Sequence, residues 1–296
     1  MLNESVFEVP ENADQLRLDQ CLAQCVPGLS RRMARVIIDL GGVFIDKKRV
    51  KVASRKVFRG QLIAVHRGGA FERATKATGK QARARDEAAL PQFRVLFEDE
   101  HVVAVDKPAG LLSTPTPESD RNNLLSVLAE TRPHVSVVHR LDLQASGVMI
   151  FAKSDVANQK LSDLFREHTL TRRYDVLAAG VPAQQALRVD VPVQGKPAAT
   201  DFRCIEAFER SSHLEATLHT GRTHQIRLHL VHLGLPVLAD PRYAPRADWH
   251  PPRLALHAKL LELAHPVSGD TLTLSAPLPP ELADWLVAER ARATPH

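Results

Sequence analysis

Residues 135–152 read VSVVHRLDLQASGVMIFA, and this stretch decides how the second half of the chain folds. Two apolar segments flank a polar one, residues 139–147, and the apolar segments have the β-branched content of buried strands. A polar loop between buried strands presents its side chains at a sheet edge, where catalytic groups often lie. The same pattern is also typical of a turn in which Asp142 only accepts hydrogen bonds from backbone amides.

Outward from this stretch, short strands and helices follow one another from Phe93 onward. The segments with the apolar content or alternation of strands are residues 102–105, 148–152, 187–193 and 214–220. Caps and periodicity predict helices at residues 123–130, after Ser154, and from Thr223 to Gly234. Because the strands come in hairpin-like runs, we predict an α+β fold with a mixed, mostly antiparallel sheet. Neither GxxxxGK[ST] nor GxGxxG occurs, which argues against nucleotide-driven chemistry.

A second polar cluster, TGRTHQIRLH at residues 220–229, lies at the end of a predicted strand and the start of a helix. Backbone amides and basic side chains at such a position suit an anion. The nearby histidines His224, His229 and His232 raise the alternative of a metal site. His224 and His229 do not fall on one helical face, and no HExxH occurs, so a metal is disfavoured.

The N-terminal part of the chain predicts a small α/β unit, residues 15–66. One helix ends near Pro27, and a second begins after Ser30 and carries an apolar stripe: Met33, Val36, Ile37 and Leu40. The arginines off that stripe are expected on an exposed face: Arg31, Arg32 and Arg35. Short strands follow at residues 43–45, 50–52 and 61–65, with Lys47 and Lys48 in the first turn.

Positive charge is concentrated in one region of the chain. The net charge is +5, but residues 31–85 hold 16 Lys and Arg against three acids, so this segment carries +13 and the rest −8. Such a distribution favours a polyanionic partner, most often nucleic acid, over a merely solubilising surface. We divide the chain into an N-terminal extension (1–14), the small unit (15–66), a basic flexible linker (67–91) and a larger domain (92–290).

Composition sets further expectations about where the protein acts. No apolar run reaches the ~20 residues of a membrane span. The polar, acidic start of the sequence does not fit a secretory signal. Three cysteines, Cys21, Cys25 and Cys204, argue against a disulfide scaffold and favour a reducing compartment. We therefore expect a cytoplasmic protein without membrane contact.

Two resemblances to known families follow from these motifs. The N-terminal unit resembles the alpha-L RNA-binding motif through Arg17-Leu18-Asp19, Leu29-Ser30-Arg31, Gly41-Gly42-Val43 and Asp46-Lys47-Lys48. Residues 93–278 resemble the RluA family of uridine-to-pseudouridine isomerases. The supporting motifs, in family order, are DKPAGL (106–111), HRLDLQASG (139–147), RYDV (173–176), TGRTHQIRLHL (220–230) and LHA (256–258) with His265-Pro266.

The second resemblance implies a set of roles. Asp142 would be the catalytic aspartate, Tyr174 would stack on the uracil, and Arg222 would stabilise the ionised aspartate. Arg140 would enter the RNA in place of the flipped base. The reaction is an isomerisation, so no cofactor and no metal is expected. The partner would be RNA, most often large-subunit ribosomal RNA, and the protein a monomer. The family usually has Thr where this chain has Ala145.

Two other function classes stay open at this stage. Ala145 is compatible with a non-catalytic RNA-binding or ribosome-assembly factor that keeps a degenerate synthase domain. The histidine-rich segment is compatible with a metal-dependent hydrolase. The first resemblance, to the alpha-L RNA-binding motif, implies RNA contact by residues of the second predicted helix and of the turn that follows: Arg31, Arg32, Arg35, Lys47 and Lys48.

Overall fold

The computed structural model describes residues 3–67, 91–115 and 123–293. Its described residues divide into two compact units, one that holds residues 3–67 and 115 and one that holds residues 91–114 and 123–293. The predicted linker, residues 67–91, falls almost wholly outside the described residues and stays a prediction. Among the helices that are described, none is long and apolar enough to cross a membrane.

The first unit consists of two helices and a small antiparallel sheet in its described part. Its elements are β1 (Asn3–Glu8), a 3-10 turn (Glu11–Ala13), α1 (Leu18–Cys25), α2 (Arg31–Asp39), β2 (Val43–Ile45), β3 (Lys48–Val50) and β4 (Leu62–Arg67). The strand order is β1-β4-β2-β3. All of β1 pairs with β4, so residues of the predicted N-terminal extension form a strand in the sheet of this unit.

Helix α2 begins and ends where the sequence predicts, and Met33, Val36 and Ile37 of the predicted stripe pack in the unit's buried cluster. The Ser30 hydroxyl accepts from the Met33 amide at 3.3 Å and caps the helix. The buried side chains are Ala34, Ile37 and Ile38, whereas Leu40 is 50% exposed. The predicted stripe was therefore wrong at Leu40, because the helix ends at Asp39 and the small Ala34 permits close packing on the other side of Ile37.

The turn between β2 and β3 is shorter than predicted. Asp46 and Lys47 both have positive φ, 48° and 66°, which is the backbone of a two-residue hairpin turn. The following strand is Lys48–Val50 rather than residues 50–52, so that expectation was wrong by two residues. Oδ1 of Asp46 accepts from the Leu62 amide at 3.0 Å, which fixes the turn against β4.

The second unit is built on one large sheet. Its elements in chain order are β5 (Arg94–Glu98), β6 (Val102–Lys107), α3 (Leu124–Thr131), β7 (Ser136–Val137), β8 (Ser146–Ala152), α4 (Asp155–Glu167), β9 (Thr171–Ala179), β10 (Ala186–Val189), β11 (Thr200–Ala207), β12 (Ser211–Leu218), α5 (Gln225–His232), β13 (Leu256–Ala264), β14 (Thr271–Ser275) and α6 (Pro280–Ala293). The strand order is β10-β11-β12-β9-β13-β8-β6-β5, with β14 on β13 and β7 on β8.

Within the described residues this sheet is mixed and mostly antiparallel, as predicted. The β8–β13 pair is parallel, and its neighbours pair in the antiparallel sense. The strands form this sheet and the helices lie between them in the chain, so the α+β prediction is confirmed. The sheet places β8, which follows the polar loop, next to β13, and β13 next to β9.

Strand β8 is buried along its whole length. Val148 and Ile150 pack in a cluster with Leu161 of α4. On the opposite face, Met149 and Phe151 pack in a cluster with residues of α3. Because helices cover both faces, the strand reads as a continuous apolar run. Its burial fixes the point where the preceding polar loop enters the sheet.

Gly147 lets β8 and β13 approach closely at this point. It has φ +113°, and an added Cβ would lie 2.2 Å from the carbonyl oxygen of Ala258. Both the positive φ and the missing side chain are therefore required here. The polar loop therefore joins the sheet at this contact.

Candidate active site and RNA-binding surface

The polar loop before β8 is anchored by the segment that follows β6. The Gly110 amide donates to Leu143 O at 2.8 Å. The Ser113 hydroxyl donates to Leu141 O at 2.9 Å and accepts from the Leu141 amide at 3.1 Å. Nζ of Lys107 donates to Leu111 O at 2.8 Å and is 3.4 Å from Leu143 O. These bonds hold the backbone on both sides of Asp142.

Asp142 forms an ion pair with Arg227. Nη1 of Arg227 donates to Oδ2 of Asp142 at 2.8 Å, and the Asp142 side chain is 24% exposed. The expected partner, Arg222, does not reach it: its Nε donates to the carbonyl of Pro197 at 3.0 Å. The expected pairing is therefore corrected, and Arg227 takes the place that the family resemblance gave to Arg222.

The start of α5 explains why Arg227, and not Arg222, pairs with Asp142. The sequence predicts a cap at Thr223, but the N-cap is His224, in the left-handed conformation with φ 59°, and the helix begins at Gln225. Arg222 thus precedes the helix, while Arg227 lies in its first turn. Arg227 is only 5% exposed, so its position is fixed by packing as well as by charge.

Asp240 completes the site from the other side of Arg227. Its oxygens accept from Nε and Nη2 of Arg227, each at 2.7 Å, in a bidentate geometry. Burial alone would lower the pKa of Arg227, but its bonds to Asp240 and Asp142 raise it. Burial likewise would raise the pKa of Asp240, and the same guanidinium lowers it. Arg227 therefore stays charged and holds Asp142 in one orientation.

His224 approaches the second oxygen of Asp142. Its Nε2 is 3.7 Å from Oδ1, and its Nδ1 is 2.9 Å from the hydroxyl of Tyr243. Burial lowers the pKa of His224, partly opposed by the charge of Asp142. Tyr243 also lies under the guanidinium of Arg227, with 4.9 Å from its ring centre to Cζ. Sequence reasoning gave no role to Arg227, although this residue lies in the polar cluster at residues 220–229. It missed Asp240 and Tyr243, because no local motif links them to Asp142.

Tyr174 lies on β9 beside this cluster. It is 8% exposed and belongs to the same apolar cluster as Ala145. Burial raises the pKa of its hydroxyl, and the charge of Asp142 acts in the same direction, so the two side chains are close enough to interact electrostatically. Ala145 is 1% exposed. A methyl group fits this apolar position without the partner that a threonine hydroxyl would need.

His139 supports the polar loop by packing, whereas Arg140 of the same loop is exposed. The imidazole of His139 stacks on Phe165, with 4.4 Å between ring centres, and its Nε2 accepts from the Ile150 amide at 3.1 Å. Desolvation, with the nearby charge of Arg172, lowers the pKa of His139 to about 3. The ring is therefore neutral and structural.

In the first unit, a buried carboxylate organises three of the arginines. Asp19 is 0% exposed. It pairs with Arg17 at 3.1 Å, Arg31 at 3.5 Å and Arg35 at 2.8 Å. Arg31 and Arg35 were expected on a freely exposed face; instead they are partly buried and share one carboxylate. Three positive groups around one negative charge leave an excess of positive charge at this surface.

The other residues expected to bind RNA lie nearby on the same unit. Arg32 is partly exposed at the start of α2, and Lys47 and Lys48 are exposed at the β2–β3 turn. None of them is drawn into the Asp19 cluster. Among the described residues there is no group of three His, Cys, Asp or Glu side chains arranged to hold a metal ion. The expectation of a metal-free reaction stays a prediction.

Comparisons with known proteins gave matches to family models and to named relatives. Residues 101–232 match a family model for RNA pseudouridylate synthase, and residues 16–63 match the S4 domain. A Nitrosomonas europaea protein named ribosomal large subunit pseudouridine synthase D is 35% identical, with 99% of this chain and 90% of that protein covered. A Pseudomonas aeruginosa protein of the same name is 33% identical, with coverage of 95% and 94%.

A solved structure supports the fold. Human RNA pseudouridylate synthase domain containing 4 superposes with a TM-score of 0.57 at 23% identity, covering 73% of this chain and 97% of that one. The predicted resemblance to isomerases is confirmed by the family match and by the full-length relatives, and nothing in them favours the non-catalytic alternative. The chain belongs to the RNA pseudouridine synthase family and carries an N-terminal S4 domain.

Proposed function

We propose that this protein converts uridine to pseudouridine in large-subunit ribosomal RNA. Two relatives that match it over nearly their full length carry that substrate in their names. The observation that carries the proposal is the Asp142–Arg227 ion pair at 2.8 Å, in a loop anchored on both sides and next to a buried tyrosine. The relatives also support a cytoplasmic location, since large-subunit RNA is their named target, and we infer that the protein acts there as a monomer.

The proposed reaction breaks the bond between N1 of uracil and C1′ of ribose and joins C5 to C1′. The proton on C5 goes to water and N1 gains one, so the product is an isomer. The carboxylate of Asp142 acts on the flipped nucleotide as a nucleophile or a base. Arg227 stabilises its ionised form against the cost of partial burial. Tyr174 packs against the uracil and helps to exclude water from the cleaved intermediate.

RNA is held by two separate regions in this proposal. The target base must leave its stack to reach Asp142, and exposed Arg140, two residues earlier, fills the space it leaves. The S4 domain binds structured RNA through the Asp19-organised arginines, Arg17, Arg31 and Arg35, together with Arg32, Lys47 and Lys48. Localised positive charge of this kind supports phosphate contacts.

The proposal is tested with unmodified large-subunit RNA transcribed with tritium at C5 of uridine. Wild-type protein should release tritium to water, and Asp142→Asn should release none while binding the RNA with unchanged affinity. Asp163→Asn makes the same chemical change at a carboxylate on α4 that pairs with Arg166, and it should keep wild-type activity.

Each other outcome separates the alternatives. Absence of release by the wild type, on free RNA and on precursor ribosomal particles alike, would favour the binding-factor alternative. Release that stops on addition of a strong chelator would favour a metal-dependent enzyme. Release by Asp142→Asn would remove Asp142 from the reaction.

A further inference from the structure

Arg172 carries a buried guanidinium that has no acceptor for two of its nitrogens. The residue lies on β9 and is 8% exposed. Its Nε and Nη2 are fully enclosed, and neither has a hydrogen-bond partner. Among the described residues of the second unit, Arg172 is the arginine that has buried nitrogens without a hydrogen-bond partner. The mechanism proposed above does not use it.

The surroundings of Arg172 supply no negative charge among the described residues. Its Cζ lies 5.9 Å from the ring centre of Phe165, at the limit of a cation–π contact. Nη1 lies against Gly221, where an added Cβ would be 2.7 Å away. Burial lowers the pKa of Arg172, and Tyr174 is the neighbour that opposes this.

Two further side chains, His168 and Arg222, lie beside Arg172. Nδ1 of His168 is also enclosed without a partner. Burial lowers the pKa of His168, and the charges of Arg172 and Arg222 lower it further, so these three side chains are neighbours. Arg222 directly follows Gly221. Two guanidinium groups with no carboxylate among their described neighbours give this position a positive potential.

A buried cation without an acceptor is costly, because it loses hydration and gains nothing in exchange. Unpartnered buried groups in folded proteins therefore call for an explanation. A water molecule could accept a hydrogen bond but would not compensate the charge. An anion that is present only when substrate binds would do both.

The position of Arg172 indicates which anion this is. Arg172 and Tyr174 are alternate residues on one strand, so they share a face about 7 Å apart. The charge of Asp142 acts on Tyr174, so Asp142 lies near this face. A phosphate attached to a nucleotide whose base lies on Tyr174 would fall within reach of Arg172. The planar fork of an arginine suits a phosphate bidentately.

We propose that Arg172, together with Arg222, binds a backbone phosphodiester of the RNA next to the flipped uridine. This inference rests on the proposed function and deepens it, since it assigns a substrate group to a side chain that is otherwise unsatisfied. Arg222 thereby has a role different from the one expected from the sequence. His168 lies beside both guanidinium groups.

The test compares Arg172→Met with Arg203→Gln. Methionine keeps the unbranched stem against Phe165 but removes the charge. Arg203→Gln removes the same charge from the opposite face of the same sheet. Arg203 is exposed there and pairs with Glu215. We expect Arg172→Met to raise KM for the tritiated RNA by about 10- to 100-fold. The salt dependence of binding should fall by about one phosphate contact. Arg203→Gln should change neither.

Stability gives a readout that a purely structural role would not produce. Because the unliganded guanidinium is uncompensated, Arg172→Met should unfold at a higher temperature than the wild type. Inorganic phosphate serves as the direct probe. Compared with sodium chloride at equal ionic strength, it should raise the unfolding temperature of the wild type more than that of Arg172→Met, because exclusion of phosphate from the protein surface stabilises both proteins alike.

Gly221→Ala provides a second variant that keeps every charge. Its methyl group would meet only the flexible end of the Arg172 side chain, so the fold should persist while the guanidinium is displaced. KM should rise as it does in Arg172→Met. An active wild type, with unchanged KM and salt dependence in both variants, would overturn the inference. A wild type that releases no tritium but is stabilised by phosphate through Arg172 would overturn the proposed function and leave the anion site.

Discussion

Lys107 offers a quantitative test of how the polar loop, residues 139–147, is held. Its side chain is 0% exposed. Nζ donates to the carbonyls of Pro108 at 2.9 Å and Leu111 at 2.8 Å, and it reaches toward Leu143 at 3.4 Å. Burial, with the charge of Arg253, lowers the pKa of Lys107 from 10.5 to about 7, and Asp142 opposes this shift. The perturbation is Lys107→Met, which keeps the stem and removes the titrating group.

The magnitude follows from the change in pKa on folding. In the unfolded chain Lys107 keeps its proton up to about pH 10.5, whereas in the folded protein it loses the proton above about pH 7. Between these values the unfolded state binds more protons, so this residue makes the free energy of unfolding rise with pH. The rise is about 1.4 kcal/mol per pH unit, or about 4 kcal/mol from pH 7 to pH 10. Below pH 7 both states are protonated and the contribution is constant.

The assay is urea unfolding at pH 6 to 10, followed by tryptophan fluorescence. Both tryptophans of the chain, Trp249 and Trp285, lie in the catalytic unit, so the signal reports that unit. The free energy of unfolding of the wild type, minus that of Lys107→Met, should climb by about 4 kcal/mol between pH 7 and pH 10. Lys160→Met, which removes an exposed lysine of α4, should run parallel to the wild type. Parallel curves for Lys107→Met as well would refute the reasoning.

Two further predictions concern the buried carboxylates. Asp240→Asn leaves Arg227 with one carboxylate in place of two, so it should lower the free energy of unfolding by about 3 kcal/mol and reduce single-turnover tritium release; wild-type values in both assays would contradict this. Asp19→Asn should speed amide exchange of α1 and α2 in the full chain and weaken RNA binding at pH 7. Since folding lowers the pKa of Asp19 from 3.8, its stabilisation is present above that value and is lost as the pH falls through the folded one. The difference in exchange between wild type and variant should therefore shrink below pH 3.8, and a constant difference would contradict the assignment.

Several features of the first unit follow from local sequence alone. Ser30 before α2 and Gly41 after it set the ends of that helix, because a hydroxyl cap and a residue with φ 75° are local devices. The stripe that the helix buries was not decided locally. Residues spaced for a helix face occur on both sides of Ile37, and only packing in the unit's buried cluster, against α1 and the sheet, selects Ala34 and Ile38 over Leu40.

The same division applies to the active site. The run of residues 139–147 between apolar segments is enough to place Asp142 in a loop at a sheet edge. The ion-pair partner of Asp142 could not be predicted from residues 139–147. Arg222 and Arg227 lie in one motif, and both are basic residues near the start of a helix. The left-handed backbone at His224 decides which of them faces the loop.

The sequence by itself determined the α+β class, the two-part organisation, the family and the loop that carries Asp142, because short-range periodicity, caps and contiguous motifs specify these features. Only the tertiary structure decided which charges meet. Asp142, Arg227 and Asp240 come from separate segments and act through bonds of 2.7 to 2.8 Å. Contacts of this length depend on how the sheet and α5 pack, and no local pattern encodes them. The unsatisfied guanidinium of Arg172 is of the same kind, since the absence of a partner is a property of the folded surroundings.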